Sequence, residues 1–258
     1  MTGKTPIRLS ARPPVGEPVV GGRVSVAIGG EPMIIDVEVP AGPTTLQAML
    51  PVFHGLANLL VERAEARVAA EGRTISCRKG CGACCRKALL VTEAEARAVA
   101  AVVEAMPEPR RSIVRSRFEA GEQRVAAAGL NERLTALAEV DDAESSRTGQ
   151  DYFRLGIACP FLEDEACSIH PVRPLNCREY LVTTPASACA EPTPEGVRRI
   201  GLEGLVSTSL LGLAKDVTAN GWVVMIRALS FVRENPQPAP ERPGPEWVEA
   251  GFRRLSGK

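Results

Sequence analysis

Charge of one sign is what this sequence most plainly lacks: lysine plus arginine and aspartate plus glutamate both number 31, so the formal net charge is zero. Binding to a phosphate backbone needs a basic excess, so no nucleic acid partner is expected. Long apolar runs are also missing. No uncharged stretch approaches the roughly 18 apolar residues of a membrane span. The first residues, Met1 to Gly16, hold charges and three prolines where a signal peptide would have an apolar core. These absences predict a globular protein with no membrane segment, placed in the cytoplasm. Repeats of solenoid length, a nucleotide-binding loop and a nucleophile–base pair are absent as well, so no reaction is assigned. Of the two histidines, His54 reads as an ordinary helix residue.

What the sequence does have is sulfur. Eight cysteines are present, and in a reducing cytosol such a set points to metal or redox chemistry rather than to a disulfide framework. Cys77, Cys81, Cys84 and Cys85 lie together, separated by Gly80, Gly82, Ala83 and two basic residues that build no core. The glycines let the backbone turn tightly, so several sulfurs can converge on one ion. Cys159, Cys167, Cys177 and Cys189 follow in a second segment able to close over the first. All eight are candidate metal ligands. Cys189 lies furthest out, in a loop, with a free thiol as its alternative reading.

Sulfur ligands select zinc or iron–sulfur clusters over magnesium and calcium, which prefer oxygen. Eight thiols exceed the four that one tetrahedral zinc needs. They leave room for two sites or one polynuclear site, which favours an iron–sulfur cluster or iron, with zinc as a near-equal alternative. The partner this predicts is a metal ion. A protein partner is left open, including a structural zinc protein that acts as an interaction module.

The run Cys77-x3-Cys81-x2-Cys84-Cys85, then Cys159-Pro160-Phe161-Leu162, then Cys167 through His170-Pro171-Val172-Arg173-Pro174 to Cys177-Arg178-Glu179-Tyr180 resembles the YkgJ-type cysteine-cluster family, described as zinc- or iron-chelating. The resemblance covers roughly Cys77 to Cys189. It implies metal or iron–sulfur binding through Cys77, Cys81, Cys84, Cys85, Cys159, Cys167 and Cys177, and no particular reaction. It departs at His170, where the family often has an aromatic residue, so His170 is expected to pack as that residue would. Arg173 and Arg178 recur in the motif. Either they neutralise thiolates, or they pair with Glu163, Asp164 or Glu165.

Two enzyme readings start from the same loop. Cys77-x3-Cys81-x2-Cys84 has the spacing with which radical S-adenosylmethionine enzymes hold their cluster, but repeated strand–helix units do not follow it. Cys81-x2-Cys84 likewise lacks the βαβ setting of a thiol–disulfide oxidoreductase.

The expected fold is mainly α, with a small N-terminal β-hairpin and a loop-rich cysteine-cluster metal site. Residues 1–18 read as a flexible entry. Residues 19–75 read as a hairpin around Gly29-Gly30-Glu31-Pro32 plus a helix from Thr44, capped with Gln47, to about Glu71 with Pro51 inside it. Residues 76–190 form the cysteine domain, in which Thr92 and Glu95 make a capping box, Asn131 caps a short helix and Asp141–Gln150 is a surface loop. Residues 191–234 read as a helical hairpin broken at Asn220-Gly221. Residues 235–258 read as a proline-rich linker and a short helix over Trp247–Leu255.

Overall fold

The computed structural model describes residues 7–12, 16–137, 139–191, 196–218, 221–237 and 239–256. In chain order they form β1 (Ile7–Ser10), β2 (Val19–Ile28), β3 (Glu31–Pro40), β4 (Pro43–Thr45) and α1 (Leu46–Ala70). Next come β5 (Leu90–Thr92), α2 (Glu93–Glu104), α3 (Arg110–Ala127), α4 (Asn131–Thr135) and α5 (Asp142–Arg154). The cysteine-rich stretch adds β6 (Leu162–Glu163), β7 (Ala166–Cys167), α6 (Leu175–Glu179) and α7 (Ala186–Ala190). The chain closes with α8 (Val206–Lys215), β8 (Trp222–Val224), α9 (Ala228–Glu234), β9 (Glu241–Pro243) and α10 (Gly244–Leu255). Helix makes up 51% of the described residues and the strands are few and mostly short, so the class is mainly α with a small β region.

The chain divides into two compact units. The first comprises residues 1–73, 200–221 and 237–258. Its sheet has the order β1-β3-β2, with β1 parallel and β2 antiparallel to β3. The hairpin is therefore joined by a strand from the stretch expected to be irregular; Met1–Pro6 and residues 13–15 lie outside the described residues. The connection between β2 and β3 is tighter than a four-residue loop. Gly29 and Gly30 both have positive φ, 61° and 83°, which is the requirement of a two-residue type I′ turn. Along β3, Met33, Ile35, Val37 and Val39 are buried at every second position, so one sheet face is apolar.

Helix α1 buries Met49, Leu50, Phe53, Leu56, Leu60 and Ala64 at the three-and-four spacing of a core-facing stripe. Its cap is Thr45, one residue later than expected, and Thr45 Oγ1 accepts the amide of Ala48. The helix runs unbroken through Pro51, because the amide that proline lacks would have served only the Gln47 carbonyl in the first turn. At the other end Gly72 (φ 70°) gives its amide to the Ala69 carbonyl and Arg73 gives its amide to that of Val68, a Schellman closure. The expected proline-rich linker contains β9, which pairs with β4, and Trp247 on α10 is fully buried with Nε1 donating to the Thr44 carbonyl at 2.8 Å.

The second unit comprises residues 74–199 and 222–236. Here β5 pairs with β8, and Thr92 and Glu95 form the expected capping box of α2. The stretch 191–234 departs from a helical hairpin: β8 stands between α8 and α9, and these two helices fall in different units. Asn220 and residues 192–195 of that stretch lie outside the described residues. The surface loop read over Asp141–Gln150 is mostly helix. Asp141 caps α5 by accepting the amide of Glu144, and the polar sequence hid its face because only Thr148 and Tyr152, at i and i+4, are buried. Asn131 is the first residue of α4 and makes no side-chain cap.

Candidate metal centre

The first cysteine loop has no regular structure until a 3-10 turn at Ala83–Arg86. Ser76 donates its amide to the Val182 carbonyl at 2.9 Å, which ties the loop entrance to the end of the second segment. Gly80 (φ 87°) turns the backbone, and the Cys81 amide returns to the Arg78 carbonyl. The 3-10 turn places Cys84 and Cys85 side by side, and the Cys85 amide bonds to the Gly82 carbonyl at 3.0 Å.

The second segment meets this loop directly. The Cys159 amide donates to the Cys85 carbonyl at 2.7 Å. Beyond it, β6 and β7 form a hairpin that presents Cys167, with Asp164 and Glu165 in the left-handed region at φ 48° and 56°. Non-glycine residues pay for that conformation. Glu165 gains an ion pair from it: Arg86 reaches both of its carboxylate oxygens, at 3.0 and 2.6 Å, and also donates to the Gly82 carbonyl. A Cβ on Gly82 would lie 2.5 Å from Glu165 Oε2, 2.7 Å from Leu162 Cδ1 and 3.3 Å from Glu165 Cα, so a larger residue would displace both side chains and press on the Glu165 backbone. Phe161 anchors the same hairpin. It is fully buried and stands edge-on to Phe118 of α3, with ring centroids 5.6 Å apart.

Cys177 sits on α6, which is held from a distance. The Leu175 amide donates to Glu95 Oε1 at 2.8 Å, and Asn176 Nδ2 donates to the Leu90 carbonyl at 2.7 Å. Glu95 thus has two tasks, because its Oε2 accepts the Thr92 amide and hydroxyl. Burial pushes its pKa up despite those bonds. Cys189, on α7, is 4% exposed, and α7 packs against the 3-10 turn.

All eight cysteines are free thiols; seven are partly exposed and Cys189 is buried. Backbone amides donate to four of the sulfurs, with Val182 on Cys77, its own amide on Cys84, Phe161 on Cys159 and Ile169 on Cys167. Such donors favour the thiolate form. Cys84 is the easiest to ionise: the hydrogen bond from Cys85, and then the charges of Lys87 and Arg173, bring its pKa to about 6 against the cost of burial. Cys85 is pushed up in turn, first by that same bond and then by burial. Burial is the first cause that raises Cys77, Cys159 (to about 11), Cys167, Cys177 and Cys189.

The charge of Cys84 also bears on all five of those thiols as well as on Cys85. The thiols further sort into two groups: Cys81 and Cys189 bear on Cys77, whereas Cys159 and Cys177 bear on Cys85. The two cysteine segments are thus coupled electrostatically through Cys84 and joined by the Cys159–Cys85 backbone bond. Among the described residues no three His, Cys, Asp or Glu side chains are drawn into a ready ligand shell. His170 does not pack as an aromatic residue would; it is exposed, and its pKa is lowered by burial and then by Arg173 and Arg178.

The CxxCxxCC family model, described as "Putative zinc- or iron-chelating domain", matches residues 76–193. No curated protein and no solved structure matches the chain. The matched span lies within the second unit and contains every cysteine of the sequence. Its donors, thiolates backed by backbone amides and arginines, fit zinc or iron, and the family supports chelation as the activity of this segment.

Sequence reasoning did not find Glu95 as a brace for α6, Gly82 as a point of contact, or Arg86 as the partner of Glu165. The capping-box motif was a signal for the first. The other two depend on contacts across 79 or more residues.

Proposed function

We propose that the CxxCxxCC segment binds an iron–sulfur cluster, or iron, through thiolates drawn from Cys77, Cys81, Cys84, Cys85, Cys159, Cys167, Cys177 and Cys189. The observation that carries this reading is the 2.7 Å bond from the Cys159 amide to the Cys85 carbonyl, which supports a centre fed by both segments. The segment carries eight thiols, beyond the four that a single tetrahedral zinc needs. A bound cluster would supply one-electron chemistry. The protein's part is to aim amides at the sulfurs and to hold positive charge beside them.

Zinc has an observation of its own. The charges of Cys81 and Cys189 act on Cys77 and those of Cys159 and Cys177 on Cys85, a division that suits two tetrahedral ions. Metal and acid-labile sulfide analysis of anaerobically purified protein separates the two readings. The iron–sulfur reading expects a brown protein with iron and sulfide, bleached by Cys81→Ser because a hydroxyl is a poor ligand for a soft metal. A colourless protein with stoichiometric zinc refutes it and leaves chelation standing. A metal-free protein that takes up neither metal refutes both.

A further inference from the structure

Arg173 lies between Cys167 and Cys177, just after the 3-10 turn His170–Val172. Its Nε is buried and has no hydrogen-bond partner. Buried donors are nearly always paired, and an unpaired one on a charged group is costly, so this one calls for a cause. Two carboxylates of the same segment are engaged elsewhere: Glu163 faces Arg110 and Arg117, and Glu165 pairs with Arg86. Arg173 is nevertheless held in place. Arg178 donates to the carbonyls of Arg173 and Pro171, and the Glu95 bond to Leu175 fixes the backbone two residues further on.

We infer that Arg173 is a positioning residue for the metal centre: its Nε–H is kept without a protein acceptor so that it donates to a thiolate sulfur once metal is bound. This rests on the chelation reading above. Four thiolates on a divalent ion leave a net negative charge that burial penalises unless a cation answers it. The groups on which the charge of Arg173 acts favourably are Cys84, Cys167 and Cys177, which come from both cysteine segments. The same charge acts against its cationic neighbour Arg178 and against His170.

The test uses the full chain, stripped of metal and titrated with zinc against a chromogenic chelator. Arg173→Gln is expected to keep the zinc stoichiometry and to bind about 10–100-fold more weakly, the usual loss when a group supporting metal ligands is removed. Its metal-free form is expected to melt no lower than the parent, since no bond is lost. Arg173→Lys is expected to recover part of the affinity, because it restores the charge without the planar fork of donors. Arg173→Gln binding zinc as tightly as the parent, or melting lower without metal, overturns the proposal and leaves chelation intact. A parent protein that binds neither zinc nor iron overturns the proposal and the chelation reading together.

Discussion

Removing the Glu95 carboxylate should loosen α6 and the cysteine it carries, although no metal-binding role is assigned to Glu95. Its two oxygens accept the amides of Thr92 and Leu175, both at 2.8 Å, and the Thr92 hydroxyl at 2.9 Å. In Glu95→Ala both buried amides are orphaned, at about 1–3 kcal/mol each, and the reciprocal half of the capping box disappears. Relief of the desolvated carboxylate offsets part of this, which leaves a net loss of about 3 kcal/mol. Glu95→Gln keeps one acceptor and turns an amide group toward another donor, so about half of that loss is expected. Urea denaturation should show the midpoint falling at constant m-value. Native-state hydrogen exchange should show the Leu175 amide losing protection before the amides of α3. A Glu95→Ala protein within about 0.5 kcal/mol of the parent, the range of an ordinary surface change, would refute the reasoning.

Gly82→Ala should cost about 1–3 kcal/mol by overpacking, because the Glu165 backbone cannot retreat as side-chain tips can; a variant that melts with the parent would show that the hairpin does not press on the loop. Phe161→Ala should cost about 3–5 kcal/mol through loss of a fully buried ring and its contact with Phe118, and calorimetry checks it. The raised pKa of Glu95 means that the folded state holds its proton longer than the unfolded state does. Its contribution to stability is therefore complete below the usual carboxyl range and is lost as pH rises through and above it. Urea midpoints of the parent and Glu95→Gln should then converge as pH is raised from about 4 to 7, and a constant difference would contradict the direction of the shift.

Local chemistry was legible in the sequence, and long-range chemistry was not. The cysteine spacing, the α1 stripe and the Thr92–Glu95 box each lie within one element, where spacing alone determines geometry. Helix α5 was missed because its support is electrostatic. Arg133 bridges Glu144 and Asp151, and Arg154 pairs with Asp151, so the helix leaves almost no apolar period to read. The three-residue strands β4, β5, β8 and β9 pair across more than a hundred residues, and segments that short carry too few positions to show alternation. The same distance hid the second task of Glu95, whose partner Leu175 lies 80 residues away. Arg173 was legible as a cation beside thiols; that its donor stands unpaired needed coordinates.

The central claim is that both cysteine segments feed one centre. It is tested most directly by metal content per chain in a full-length protein carrying Cys159→Ser, Cys167→Ser and Cys177→Ser, with the first loop intact. The account predicts that this protein, purified anaerobically beside the parent, loses at least half of the bound zinc or iron. Retention of the parent's full metal content by Cys77, Cys81, Cys84 and Cys85 would contradict it.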